Sequence, residues 1–423
     1  MNIVFKKNFD VIYYLILSIP ILAIFSIFLL EIALIVICFS FIINCLREKK
    51  NFKYFNNFIF KFFAIFYLYL LINFIIQSEK INTLSVIFYF RYSLYIIAIY
   101  FYFENKKNLF LNFLKVILLL VLILGIDAIF QTIFKYNIIG LKIISNYRAS
   151  SFFGDELILG SFILRILPFV FIVSLFEKKI FNDKIISLFI AFCFLIIFLS
   201  GERTSMVLSG LLFVLFFFIF KKERIFRYLK IYISVFLIIV SLVLLLSKSY
   251  QFRYIIQPLS DLSENYKITQ DLLTDYEKKP RIIFFSGLHH NLMITSLRIF
   301  KKNKFFGSGP RSYRDVCYDY QINRFSCDTH PHNFYIQLAA ETGIIGLSFL
   351  ILLYLIILNK FYNLSIKEKT EVTRIKLCIL AFYLIALWPI IPSGNFFNNW
   401  LSIMLYLPAT VYLYLDKKTK VIF

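Results

Sequence analysis

"LFLNFLKVILLLVLILGIDAIFQTIF", Leu109–Phe134, decides the fold class. At 1.5 Å of rise per residue this run is long enough to cross a hydrocarbon layer of about 30 Å as one helix. Its charges are Lys115, whose stem is long enough to snorkel, and Asp127, which needs a partner inside the protein. The segment just before it, "ENKKN" (Glu104–Asn108), is short and basic. Apolar runs separated by short charged segments recur along the whole chain.

Hydrophobic residues make up 60% of the 423 residues, charged residues 17%, and mean hydropathy is +0.79. A water-soluble domain cannot bury that much apolar surface, so the composition implies an all-α polytopic membrane protein. About twelve transmembrane helices are expected, at 11–29, 31–46, 58–77, 84–103, 109–134, 156–176, 185–199, 205–220, 231–247, 343–359, 375–391 and 400–415. Residues 1–247 then hold about nine helices, 248–342 form one large loop, and 343–423 hold about three helices. The basic start (Lys6, Lys7) before an apolar run with no small-residue cleavage site reads as a retained signal anchor. The net charge of +22 does not point to nucleic acid, because the cations flank apolar runs, as in Arg47–Lys50 and Lys221–Lys230.

Charge sets the orientation. If 11–29 and 31–46 form a hairpin, the short segments on the side of the termini hold most of the Lys and Arg. Those on the other side hold Lys80, Lys135, Lys142, Arg148 and Arg203. The positive-inside rule then makes both termini cytoplasmic and the large loop periplasmic.

All four histidines lie in that loop, as His289/His290 and in "THPHNFYIQLAAETG" (Thr329–Gly343). Pro331 suits a first helical position, with Asp328 or Thr329 as cap, so His332 is expected near a helix N-terminus that favours anions. Its plainer reading is an interfacial cap. Arg203, in "SGERTSM", offers a planar bidentate fork for phosphate, or else forms an ion pair with Glu202. Arg91, Asp127 and Arg165 lie within apolar runs; Arg91 pairs with Asp127 or holds an anionic headgroup. Arg148 belongs to a second outside piece, "NYRASSFFGDE" (Asn146–Glu156). Cys317 and Cys327 are expected to pair in an oxidising compartment; a Cys/His metal site is the alternative. No acidic pair suited to a divalent metal and no Walker A sequence occurs, so neither a metal, a cofactor nor direct ATP use is expected.

"HPHNFYIQLAAETGIIG", with "FFGSGPRSYRDVC" (Phe305–Cys317) and "SGERTS", resembles the O-antigen ligase family of bacterial inner-membrane glycosyltransferases, relatives of the O-antigen polymerases. The match rests on His332 and Asn333 followed by Gly343, in the family's H-N-x9-G spacing. The resemblance implies transfer of a polysaccharide from an undecaprenyl diphosphate carrier to a sugar hydroxyl of lipid A–core at the periplasmic face. It implies His332 as the essential histidine and base and Arg203 as the short-loop arginine. The family's large-loop arginine falls near His289, so Arg281, Arg311, Arg314 or the His289/His290 pair is expected to replace it. His330, Asn333, Arg91, Arg148 and Arg165 complete the expected substrate-binding set. Membrane lipids and the lipid-linked glycan are the expected partners. A polymerase acting on a second carrier-linked glycan, for which Arg298 and Gly309 offer a spacing, and a ligase acting on protein are alternatives. A transporter of lipid-linked glycan is an alternative of another class, though no internal repeat supports it.

Overall fold

The computed structural model describes residues 2–77, 84–176, 182–220, 223–260, 287–322, 326–367 and 370–422, with the side chains of 2–10, 174–176, 287–288 and 418–422 left aside. Lys80 and Arg281, both named above, lie outside the described residues.

The described residues are helical, with no strand among them. The long helices are α1 (Asn2–Phe25), α2 (Ile27–Arg47), α3 (Phe58–Ile76), α4 (Arg91–Asn105), α5 (Leu109–Phe134), α6 (Leu159–Phe176) and α7 (Asp183–Leu199). After these come α8 (Arg203–Phe220), α9 (Arg224–Leu246), α10 (Gly287–Lys302), α11 (Phe334–Ser365), α12 (Glu371–Ala386) and α13 (Asn399–Ile422). Every apolar run expected to span has a helix in its place, and α10 falls inside the large loop. Among the described residues, seven helical segments are long and apolar enough to cross a membrane without further argument. They are α2, α3, α5, α8, α9, α11 and the stretch Leu84–Asn105 that ends in α4. Large apolar side chains such as Phe28, Ile75 and Leu246 stand on the outer surface. A surface of that kind is stable against lipid rather than water. The chain is a multi-pass membrane protein.

Two helix boundaries differ from the sequence reading. The break between the first two helices falls at Ser26, not beside Glu31. Ser26 is extended (φ −162°), and its Oγ accepts from Leu29 N at 3.3 Å. Helices α1 and α2 pack on each other, so the pair is a hairpin and not one bent helix. Glu31, now inside α2, takes Arg91: Nε and Nη2 donate to its two oxygens at 3.0 and 3.1 Å. This bidentate pair stands in place of the pairing with Asp127 that was one of the two alternatives for Arg91. Asp127 instead accepts from Ile138 N at 2.8 Å and Ser151 Oγ at 2.5 Å, anchoring the 135–158 loop.

The second difference is in α11. Asn333 caps it, Oδ1 accepting from Tyr335 N and Ile336 N at 3.0 and 3.1 Å, so Pro331, Asp328 and Thr329 lie outside the helix. The reason is local: His332 is left-handed (φ 55°), which a helix cannot absorb at its start. Further along, Gly343 (φ 66°) breaks the helix, and the turn segment 304–309 crosses the gap. Ser308 N donates to Ala340 O at 2.9 Å and Gly309 N to Glu341 O at 2.8 Å, while Ile344 N donates to Lys304 O at 2.8 Å. Tyr69 Oη donates to Thr342 O, and Asn73 Nδ2 to Phe306 O at 2.6 Å, from α3. All these groups are taken because unpaired backbone there would cost about 1–3 kcal/mol each. A Cβ at Gly343 would collide with the backbone of Phe305 and Phe306, and one at Gly307 with that of Glu341 and Thr342. The two glycines of the sequence motifs therefore exist for one close crossing.

The two ends of the bundle differ in kind. At one end the charged segments pair with each other: Arg374 with Glu223 and Lys376 with Asp416, both at 2.7 Å, and Lys417 with Glu104. These are segments that the charge rule assigns to one side. The opposite end collects the 135–158 loop, the 200–205 turn, the large loop and the α12–α13 connection.

Candidate active site

A cavity of about 890 Å³ opens among those connections. Its wall includes Arg148, Arg165, Glu202, His289, Arg314, His330 and His332, contributed by six separate stretches of chain. Leu164, Leu208, Leu212, Phe382 and Ile385 form an apolar wall.

The 200–205 turn is the first support. Gly201 (φ 64°) reverses the chain, and Arg203 begins α8. The neighbouring Glu202 reaches across to α6. Its carboxylate accepts from Gly160 N at 2.6 Å, Ser161 N at 3.2 Å and Ser205 Oγ at 3.0 Å. It thereby satisfies two orphan amides in the first turn of α6 and complements the positive end of that helix. Gly160 has no room for a Cβ against Ser200. Burial pushes the Glu202 carboxyl up, against the pull of those donors and of Arg148.

Arg253, which the sequence reading did not single out, braces the turn. Its Nε donates to Gly201 O at 2.7 Å and its guanidinium sits 5.7 Å from the Tyr147 ring. Burial and the charges of Arg148 and Arg203 lower its basicity. The signal was weak, one arginine just past an apolar run.

Arg148 is held by the anchored loop. Gln131 Oε1 accepts from Ser150 N and Ser151 N at 2.9 and 2.8 Å, and Ala149 N donates to Leu199 O at 3.0 Å. Arg148 Nη2 donates to Leu157 O at 3.3 Å. Burial holds its guanidinium below the usual arginine range. One helical turn into α6, Arg165 donates from Nη1 to Ser161 O at 2.7 Å and lies 5.5 Å from the Trp400 ring. Both Arg148 Nε and Arg165 Nε are buried without a hydrogen-bond partner.

The imidazoles come from two places. His289, on α10, meets His332 edge-on with ring centroids 5.1 Å apart, and His330 lies 4.1 Å from His332. His332 Nε2 stands 3.4 Å from Asp328 Oδ2. His330 Nδ1 shares a hydrogen bond with Thr329 Oγ1 at 2.9 Å, and its Nε2 is buried without a partner. Burial, then the neighbouring His332, lowers His330 to about 4. The same two causes, with Arg203, lower His289. Cys317 and Cys327 are joined as a disulfide, Cα atoms 5.4 Å apart, tying the turn that carries Arg314 to the segment that carries Asp328. Among the described residues no group of His, Cys, Asp and Glu could hold a metal ion.

The remaining candidates stand apart from the cavity wall. Asn333 is committed to the α11 cap and to Pro389 O, which its Nδ2 reaches at 2.8 Å. Arg91 is engaged by Glu31. Arg311 donates to Ser85 Oγ at 2.7 Å on the far side of the large-loop segment. His290 sits beside His289 on α10 but is not part of the wall, and Arg203 acts on His289 through its charge. The α12–α13 connection, "WPIIPSGNFFNNW" (Trp388–Trp400), lines the cavity and was missed. Its Pro, Gly and Asn residues between two apolar runs were the available signal.

Residues 188–351, from α7 to past the α11 break, match the sequence model of the family described as O-antigen ligase. No curated protein matches the chain. The matched stretch contains the 200–205 turn, the three clustered histidines and both crossing glycines. Over that stretch, about two fifths of its length, the chain is similar to the O-antigen ligase family.

Proposed function

We propose that the cavity transfers a polysaccharide from undecaprenyl diphosphate to a sugar hydroxyl of lipid A–core, at the periplasmic face of the inner membrane and with both termini cytoplasmic. The observation that carries this reading is three buried, unpartnered nitrogens, Arg148 Nε, Arg165 Nε and His330 Nε2, around one cavity. Buried polar groups without partners are rare, and three sharing one wall point to a polar ligand. With a surplus of arginine over carboxylate, that ligand is an anion, and a diphosphate carries the acceptor oxygens that guanidinium groups match.

In this reading the acceptor oxygen forms a bond to the anomeric carbon while the bond from that carbon to the diphosphate oxygen breaks. The diphosphate leaves with the electron pair, stabilised by Arg148, Arg165 and Arg314 in the field of Arg203. His332 accepts the hydroxyl proton, a role worth about 10²–10⁴-fold in rate. Asp328, accepting from Nε2, leaves Nδ1 as the basic nitrogen. No metal or nucleotide takes part.

The test is complementation in a host making surface polysaccharide. His332→Ala is expected to insert normally, abolish transfer and let carrier-linked glycan accumulate; wild-type transfer would overturn its role. Arg165→Lys is expected to lose most transfer, because a point charge does not reproduce the planar fork. Lengthened carrier-linked chains or glycosylated protein, in place of modified lipid A–core, would identify a polymerase or a protein ligase instead.

A further inference from the structure

The cavity has two chemically different sides. The wall from the 135–158 loop, α6 and the 200–205 turn is charged, with Arg148, Glu156, Arg165 and Glu202. The wall from the α12–α13 connection carries no charge and offers Trp388, Ser393, Asn395 and Asn398.

Those two asparagines are fixed in a particular way. Asn395 Oδ1 accepts from Phe397 N at 2.9 Å and from Gln337 Nε2 at 2.8 Å. Gln337 is itself held, its Oε1 accepting from Phe396 N at 2.9 Å and its Nε2 reaching Glu341 at 3.2 Å. Asn398 Oδ1 accepts from Leu401 N at 3.0 Å at the start of α13. In both residues the protein consumes the carbonyl oxygen and leaves the amide NH₂, which donates two hydrogen bonds. Neither Nδ2 has a partner among the described residues.

The connection is also docked directly on the histidine segment. Ser393 N donates to His332 O at 2.7 Å, and Phe334 N donates to Ser393 Oγ at 2.9 Å. The neutral donors are thus held in register with the imidazole, on rigid supports at both ends.

We infer that the α12–α13 connection is the acceptor subsite: Asn395 and Asn398 donate to hydroxyl oxygens of an uncharged sugar whose face packs on Trp388, delivering one hydroxyl to His332. A neutral pyranose presents an apolar C–H face and a rim of hydroxyl acceptors, which is what an indole and two outward amide groups recognise. A diphosphate would be drawn to the arginine side instead. This inference rests on the transferase reading and assigns its second substrate.

The two tryptophans of the chain, Trp388 and Trp400, both line the cavity, so intrinsic fluorescence reports on its contents. The protein in nanodiscs is titrated with two probes, inorganic diphosphate and a delipidated, neutral lipopolysaccharide core oligosaccharide. Asn395→Ser and Asn398→Ser keep a short oxygen for the backbone cap and remove the amide donors. Each is expected to weaken the oligosaccharide about 3–10-fold, the range of one neutral hydrogen bond, and to leave diphosphate unchanged. Arg165→Lys is expected to do the reverse. Trp388→Leu is expected to weaken the oligosaccharide in a calorimetric titration, where loss of the fluorophore is immaterial. Unchanged oligosaccharide affinity in both serine variants, a loss confined to diphosphate, or no oligosaccharide binding by the wild type would overturn the assignment. The transferase reading fails separately, if His332→Ala still transfers glycan in cells.

Discussion

The rings of His289 and His332 meet edge-to-face, centroids 5.1 Å apart, although one belongs to a helix in the middle of the large loop and the other to the entry of α11. A proton on either ring opposes a proton on the other. Replacing His332 by Ala is therefore expected to raise the titration midpoint of His289 toward the ordinary imidazole value, with burial still holding it lower. Imidazole NMR of selectively labelled protein measures this. An unmoved His289 midpoint would mean that the two rings do not face each other in the membrane.

Stability should fall in acid for a definable reason. His330 is lowered to about 4 by burial and by His332, whereas in the unfolded chain it titrates near 6.5. Between those values the unfolded state binds a proton that the folded state does not. The stabilisation is present above about pH 6.5 and is lost progressively as pH falls toward 4. The melting temperature in nanodiscs should drop across that window, and His330→Gln should flatten part of the drop. A profile identical in the two proteins would refute this origin.

Gly343→Ala forces a side chain into a left-handed position against the backbone of Phe305 and Phe306. The expected destabilisation is about 1–3 kcal/mol, seen as a lower melting temperature and a fall in transfer. Since the crossing sets where the large loop leaves α11, Gly307→Ala should behave alike. A variant as stable as wild type would show that the break is not needed.

Glu202→Ala removes the acceptor for Gly160 N and Ser161 N and leaves buried amides unpaired, at about 1–3 kcal/mol each. Glu202→Gln retains one acceptor oxygen but sets an NH₂ against the helix amides, so it should rescue only in part. Thermal unfolding of the two variants distinguishes this capping role from a purely catalytic one, which would leave stability unchanged.

The helical class of the chain, the place of each long apolar helix and the polar loop that supplies the histidines were legible in the sequence. Apolar length and flanking charge are local properties, and a bilayer permits few backbone solutions for such a run. The sequence also singled out His332 and Arg203, each unusual where it stands, while the glycines came with the family resemblance.

Partnerships were another matter. The sequence offered Arg91 either Asp127 or an anionic headgroup, and only the packing of α2 against α4 brought Glu31 to it. Glu202 lay next to Arg203 in sequence, but the fold also turned its carboxylate onto the amides at the start of α6. Asn395 and Asn398 lay between two apolar runs, and only the fold put them on the wall of the cavity that the imidazoles also line. The sequence alone determined which segments are helical and which bear charge, since hydrophobicity and length act residue by residue along the chain. Only tertiary structure decided which charge meets which, because a buried hydrogen bond depends on where distant helices come to rest.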